Sequence, residues 1–364
     1  MTTLRLGALL LVTLASIPHG ACAARGTAPP IVEAAGPALP LQNGDEIHVA
    51  TANLWGVSVL GFDWAEKVDV RFAEMAERLA RNEPRLDVVL IQEAWKDSAR
   101  HALLRHEGVI RNFPFRVDAV EQPGGAGLVV LSRFPIEAAR FHRFQAQGNC
   151  LKFWEADCLA GKGILAVRVR IGDRSLWIGN THLIACYSDD DAGDEACDEG
   201  DPNGGTRRAQ LIEARRFIES LAKTGSILLG GDFNFTRSSR DYPAMVHPPL
   251  SSTSSASPTR EARSDWSEAG RGTTRAGRID YLWTRGGSDE AWRVVSPASP
   301  IFTAPVRLAP SSSPARTDDR GSVIDRKGSI PLSDHPVIMA AFCLVRVAVP
   351  GDDCLAFASG STPE

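Results

Sequence analysis

No charge of one sign dominates this chain of 364 residues: the formal net charge is -4 at pH 7, and the isoelectric point lies near 6.1. There is therefore no overall basic field to concentrate a polyanion. Long apolar runs are scarce as well. The stretch from Leu6 to Ile17 is too short to cross a bilayer as a helix, and no transmembrane segment is expected. Neither a Cys-x2-Cys pair nor a Cys/His cluster with ligand spacing occurs, which argues against zinc. No internal repeat stands out. What remains is the composition of an ordinary globular protein, 43% hydrophobic and 23% charged, able to bury one large core or two smaller ones.

The first residues, "MTTLRLGALLLVTLASIPHGACAARG", place one Arg before an apolar stretch and end in the small-residue exit Ala21-Cys22-Ala23. This pattern predicts a secretory signal peptide over 1–23 and a secreted protein, extracellular or periplasmic. A lipid anchor on Cys22 is the rival, but His19 sits where such a signal prefers a small or branched apolar residue. Of seven cysteines, cleavage removes Cys22 and leaves six in sequence-local couples. The short closures Cys150–Cys158, Cys186–Cys197 and Cys343–Cys354 cost the least chain entropy, so these three bridges are expected.

Residues 24–45 are rich in Ala, Pro and Gly and read as an unstructured lead-in. One catalytic domain is expected over 46–345, followed by a tail over 346–364. The stretch from Trp64 to Arg81 carries Val68, Phe72, Met75 and Leu79 at helical spacing, whereas "EIHVATANL", "LDVVLIQEAW", "GILAVRVRI", "SLWIGNTHLI", "SILLGGDFN", "RIDYLWT" and "DHPVIMAAF" read as strands. Residues 248–277 and 286–332 read as long surface loops. Many strands, apolar on both faces, with few helices, argue for two packed sheets flanked by helices, an α/β sandwich.

Several of these apolar strands run out into charged or amide residues: Asn53 in "TANLW", Glu93 in "LIQEAW", Asn180 and His182 in "GNTHL", Asp232 and Asn234 in "GGDFN", Asp280 in "RIDYL", and Asp334 and His335 in "LSDHPV". Residues two apart in a strand share a face, so Asp232 and Asn234 can aim at one target while Phe233 packs the other way. A carboxylate at the end of a buried strand is costly unless it is paired or holds a metal. Glu93, Asp232 and Asp334 offer oxygen ligands of the kind Mg²⁺ takes. A histidine beside such a metal can accept a proton from water, with a carboxylate on its other nitrogen to set the tautomer. Taken singly, each residue has a plainer reading. "GGDFN" alone is a tight turn with an Asx motif, Asp280 a structural acceptor, Asn53 a cap, His182 a satisfied core histidine. Glu93 resists such a reading, because nothing in its strand pattern asks for a charge.

In this order the six motifs resemble the endonuclease/exonuclease/phosphatase superfamily over roughly residues 46–343. The resemblance implies a four-layered α/β/β/α sandwich and Mg²⁺-dependent hydrolysis of phosphoester bonds, with Mn²⁺ or Co²⁺ as substitutes. It implies Glu93 as principal metal ligand, with Asn53 beside metal and phosphate and Asp334 backing the metal site. Asp232 would position the attacking water and Asn234 would steady the phosphoryl group. His182 would bind phosphate or assist the leaving group, and His335, oriented by Asp280, would be the general base.

Within the superfamily the sequence is most similar to secreted bacterial neutral sphingomyelinases. Lys162-Gly163 enters a strand as in those enzymes, which makes Lys162 a substrate-binding candidate, and "NTHLIACYS" followed by "RRAQLIEARRFI" is similar too. The resemblance implies a phospholipase C acting on sphingomyelin at a membrane surface, and a monomer is expected. Those bacterial enzymes carry an aromatic-rich hairpin that enters lipid, whereas the corresponding region here has one aromatic, Phe302; Trp55, Trp64 and Trp154 are the candidates to meet lipid or hold the choline group, and partial core burial is their plainer and preferred reading. The acidic run between Cys186 and Cys197 lacks the order of an EF-hand loop and reads as solvated. The alternatives are a secreted deoxyribonuclease, with Arg207, Arg208, Arg275 and Arg278 lining a nucleic-acid groove, a phosphate monoesterase, and a binding protein that has lost catalysis. A second metal near Trp95 and Asp97 is left open.

Overall fold

The computed structural model describes residues 30–39, 45–59, 62–119, 126–148, 161–186, 201–246, 266–269, 279–308, 329–346 and 354–355. Strands with apolar side chains on both faces need cover on both sides, and the alternation along each strand shows where that cover lies. Ile47 and Val49 turn to a central cluster, whereas Ala50 and Ala52 turn to an outer one. Leu228 likewise faces the centre, and its neighbours Ile227 and Leu229 face outward. Three buried clusters therefore mark three interfaces between four layers.

A seven-stranded sheet has the order β1 (Ile31–Ala34), β6 (Phe115–Asp118), β7 (Val129–Ser132), β5 (Val88–Gln92), β2 (Ile47–Asn53), β17 (Val337–Arg346), β14 (Glu290–Ile301). A six-stranded sheet has the order β12 (Trp266–Glu268), β13 (Asp280–Arg285), β11 (Ile227–Asp232), β10 (Arg174–His182), β9 (Gly163–Ile171), β8 (Ile136–Arg143). The helices α1 (Val68–Arg81), α2 (Asp97–Arg105) and α3 (Glu107–Asn112) cover the first sheet, through Phe72, Met75, Leu79 and Leu103. On the second sheet lie α4 (Gly204–Ala222) and α5 (Tyr242–Val246), with Leu211, Ala214, Ile218 and Met245 inward. Two small two-stranded sheets, β3 (Ser58–Val59) with β4 (Phe62–Asp63) and β15 (Val306–Arg307) with β16 (Ser329–Ile330), complete the described elements. The fold is an α/β/β/α sandwich.

Three local expectations are corrected. Within the lead-in expected over 24–45, Ile31–Ala34 pairs antiparallel with β6; four residues among prolines and glycines carry little pattern, but an unpaired sheet edge has backbone groups to satisfy. Within the loop expected over 286–332, Glu290–Ile301 pairs with β17 despite Pro297 and Pro300, with register shifts around Ser296. It is an edge strand, where proline's missing N–H removes no ladder bond. The expected bridge Cys343–Cys354 is present and ties the tail back, where Leu355 N–H donates to Leu344 O at 2.7 Å. The expected helix from Trp64 starts instead at Val68, and Trp64 itself is 49% exposed. The signal segment, Cys150–Cys158, Cys197 and Trp154 lie outside the described residues; Cys186 is disulfide-bonded.

Register places the polar strand ends. Parallel pairing of β10 with β11 sets His182 opposite Asp232, and antiparallel pairing of β11 with β13 sets Asp232 opposite Asp280. These three residues form one row across three strands. In the other sheet, parallel β2 and β5 end together, with Asn53 opposite Gln92 and Glu93 next in line. Gly231 makes the row possible: its φ is +148°, and a Cβ there would fall 1.9 Å from Thr181 O.

Candidate active site

The two sheets meet at Asn53. Its Nδ2 donates to Glu93 Oε1 at 2.8 Å and, across the sandwich, to Asp232 Oδ2 at 2.9 Å. Its Oδ1 accepts the Trp55 N–H at 2.9 Å, which orients the amide. Glu93 leaves β5 in the left-handed region, φ 56°, a conformation that a residue with a Cβ adopts only when its surroundings hold it there. The other carboxylate oxygen, Oε2, is buried and has no hydrogen-bond partner among the described residues. Burial, and then the Asp334 carboxylate, push the Glu93 carboxyl up to about 7.

His335 Nδ1 lies 2.8 Å from Asp280 Oδ2, and its Nε2 lies 3.9 Å from Asp232 Oδ2. Burial alone would lower its pKa, but Asp280, Asp232 and Asp334 outweigh that and hold it well above the ordinary histidine value. His182 is the opposite case. Its Nε2 lies 2.9 Å from Lys162 Nζ, 3.4 Å from Asp232 Oδ2 and 3.8 Å from Glu93 Oε1. Burial first, then the Lys162 charge, hold its pKa well below the usual range. Asp232 thus stands between two histidines of opposite tendency, and its Oδ1 accepts the Asn234 N–H at 2.9 Å. Asn234, also left-handed at φ 52°, donates through Nδ2 to Leu183 O at 2.9 Å. Asp334 reaches the surface on one side and is crowded by protein on the other, and that desolvation raises its carboxyl.

Most of the residues singled out in the sequence come together here; some do not. Asn180 is a tether in the central core. It donates to Ile91 O at 2.8 Å and Val129 O at 3.0 Å and accepts from Gln92 Nε2 at 2.6 Å. Arg207 lines no groove, since it is 1% exposed and paired with Asp201 and Asp241. Arg208 is bonded to the same Asp241; Arg275 and Arg278 lie outside the described residues. Sequence reasoning missed Trp95 as a neighbour of the histidine: its ring lies 5.9 Å from that of His182 and 5.7 Å from Lys162 Nζ. Gly127, at φ +61°, makes room for it, because a Cβ there would fall 2.6 Å from Trp95 Nε1. Arg71 and Ser333 were missed too. A charge on the apolar stripe of α1, one residue before Phe72, was the available signal for Arg71.

The residues fit a divalent cation with oxygen ligands. Glu93 and Asp334 raise each other's burden of negative charge, and a buried Glu93 oxygen lacks a partner; a hard cation answers both. Two triples of ligand atoms lie within 4.8 Å of one another, Glu93-His182-Asp232 and Asp232-Asp280-His335. Asp334 joins neither triple among the described residues.

An α/β/β/α sandwich with such a cluster at the ends of its central strands defines a class, and residues 50–335 match the model of the Endonuclease/Exonuclease/phosphatase family. The chain belongs to that family. Among its relatives, a Drosophila melanogaster protein provisionally named a neutral sphingomyelinase is 28% identical over 250 residues, 66% of this chain and 52% of that protein. Sphingomyelinase C of Leptospira interrogans is 29% identical over 180 residues, 44% of this chain and 29% of that protein. The match thus spans about half of the first relative's length and less of the second's. The crystal structure of sphingomyelinase C from Streptomyces griseocarneus superposes with a TM-score of 0.56 at 20% identity, covering 81% of this chain and 99% of that one. That likeness is one of fold.

Proposed function

We propose that this protein is a secreted, Mg²⁺-dependent phosphodiesterase of the phospholipase C type that hydrolyses sphingomyelin to ceramide and phosphocholine. The observation that carries the reading is the partnerless buried oxygen of Glu93, set beside one histidine held neutral and another held basic. The names of the relatives and Lys162-Gly163 at the start of β9 support the lipid substrate.

In this reading Glu93, with Asn53 and Asp334, holds the cation, which when bound supplies positive charge to the phosphate and acidifies water. Asp280 accepts the Nδ1–H of His335, which leaves Nε2 as the atom that takes the proton of the attacking water. The imidazolium formed there is stabilised by Asp280 and Asp232, whose proximity is why the base is strong. Asp232 steers the water between the two histidines. The new water–phosphorus bond forms as the bond to the ceramide oxygen breaks, and that oxygen leaves as a hydroxyl. Asn53 and Asn234 orient phosphate oxygens by hydrogen bonds without adding charge. Lys162 faces the same oxygens with a positive charge and keeps His182 neutral, which favours phosphate binding over proton donation for His182.

The rival deoxyribonuclease reading loses Arg207 as a groove residue, since its guanidinium is buried in ion pairs. The test is phosphocholine release from sphingomyelin liposomes, with Mg²⁺ and with chelator, run beside plasmid nicking and phosphate release from a soluble monoester. Chelator-sensitive phosphocholine release, absent in His335→Ala, is the expected result. Nicking or monoester hydrolysis without phosphocholine release would transfer the site to one of the alternatives.

A further inference from the structure

We infer that Arg71 is a positioning residue that holds the two loops of this site in mutual register, an inference that rests on the proposed reaction. Arg71 sits on the buried stripe of α1 and is 2% exposed. Among the described residues its guanidinium makes no ion pair of ordinary distance and meets the carboxylates of Asp334 and Glu93 only at longer range. Instead, Nη1 donates to Leu54 O at 2.6 Å, Nη2 to Trp55 O at 2.8 Å and Nε to Glu66 O at 2.8 Å, while Nη1 also reaches Leu332 O at 3.5 Å. The same group lies 5.0 Å from the centre of the Trp55 ring.

Apart from the local bond to Glu66 O, these contacts fall on two segments that are far apart in the chain. Leu54 and Trp55 follow Asn53; Leu332 precedes Asp334 and His335. One rigid, planar fork therefore spans the loop that aims the Asn53 amide and the loop that carries the base, and a lysine's point charge cannot reproduce that spread of donors. A second stitch joins the same loops: Ser333 Oγ donates to Asn53 O at 2.6 Å. Arg71 also presents its charge toward Asp334 and Glu93, which offsets the repulsion between these two carboxylates. Buried charge is expensive, and a hydrophobic side chain on this stripe would pack α1 without that cost. Stability therefore does not account for an arginine here, whereas register between the two loops does.

Arg78, two turns further along α1, is the internal control. It is buried to a similar degree and donates to Phe302 O at 2.5 Å and Ala304 O at 2.6 Å, backbone groups of a segment that carries none of the residues assigned to the reaction. The experiment compares Arg71→Met, Arg71→Lys and Arg78→Met. Folding is checked by thermal melting, Mg²⁺ affinity by calorimetry, and kcat and KM by phosphocholine release. Both Arg71 variants should lose more than tenfold in Mg²⁺ affinity and on the order of 100-fold in kcat, with KM for liposomes little changed. Arg78→Met should lose comparable thermal stability yet stay within about twofold in both. Folded Arg71 variants that track Arg78→Met would overturn the inference. In the wild-type protein, amide hydrogen exchange in 54–57 and 331–336 should slow in step on Mg²⁺ addition, and independent responses would overturn it even if no Arg71 variant folds. Failure of the wild type to release phosphocholine would sink the proposed reaction, leaving calorimetry and exchange to decide on Arg71.

Discussion

Lys162 Nζ lies 2.9 Å from His182 Nε2, deep in the protein, and the lysine is 1% exposed. An ammonium has only protons to give, so His182 must accept at Nε2 and carry its own proton at Nδ1. The two carboxylates nearest to Nε2, Asp232 and Glu93, would otherwise favour a charged imidazolium. Burial first, and then the Lys162 charge, keep the histidine neutral against that pull.

Replacing Lys162 by Met should therefore raise the His182 pKa, since only burial and the His335 charge would then remain to lower it. An NMR titration of the histidine ring should show the upward move. Phosphocholine release should fall by about 10²–10³, the usual cost of one preorganised electrostatic contact. An unchanged titration with normal turnover would remove Lys162 from the site.

Glu93, whose carboxyl sits at about 7 without metal, must lose its proton to bind a cation. A raised carboxyl is protonated below its pKa, so Mg²⁺ affinity should rise with pH up to about 7 and level off above it. Below that point it should fall by roughly tenfold per pH unit. Calorimetry at pH 6 in buffers of different ionisation heat should report proton release, and Glu93→Gln should abolish both signals.

Asp280→Asn keeps the bond to His335 but removes the charge that does most to raise its pKa. The acid limb of the pH–rate profile follows protonation of the base, so it should shift to lower pH. Turnover should drop by about 10²–10⁴, as when a base loses its charged orienting partner. A profile identical to wild type would exclude His335 as the base.

Asn180→Leu tests the tether and leaves the reaction groups untouched. It takes one acceptor from Gln92 Nε2, which keeps Leu90 O and Thr51 Oγ1, each at 3.1 Å, and removes the amide donor from the carbonyls of Ile91 and Val129 in the dry core between the sheets. The expected loss is about 2–4 kcal/mol, given the usual cost of unsatisfied buried polar groups. Denaturant melts would read it as a lower midpoint with an unchanged slope.

Much of this molecule was legible before any fold was known. Short, nearly continuous apolar runs announced the strands because each must bury both faces, and Glu93, Asp232 and His335 stood out because a charge at the end of such a strand lacks a packing reason. Short elements with little pattern were not legible: Ile31–Ala34 and the proline-bearing Glu290–Ile301 are strands because sheet edges offered partners. Asn180 carried the same signature as Asn53 yet became a tether. Both are amides at the close of apolar strands, and only the partner across the sandwich tells them apart.

The sequence by itself determined the strand and helix periodicities and the ordered set of polar strand ends, because these are local properties of side-chain spacing. Tertiary structure alone decided which of those ends meet. Register across β10, β11 and β13 lined up His182, Asp232 and Asp280, and the packing of one sheet on the other brought Asn53 to Asp232, 179 residues away. The opposite shifts of the two histidines were decided there too. Burial and neighbouring charge depend on distances through space, to which spacing along a chain is blind.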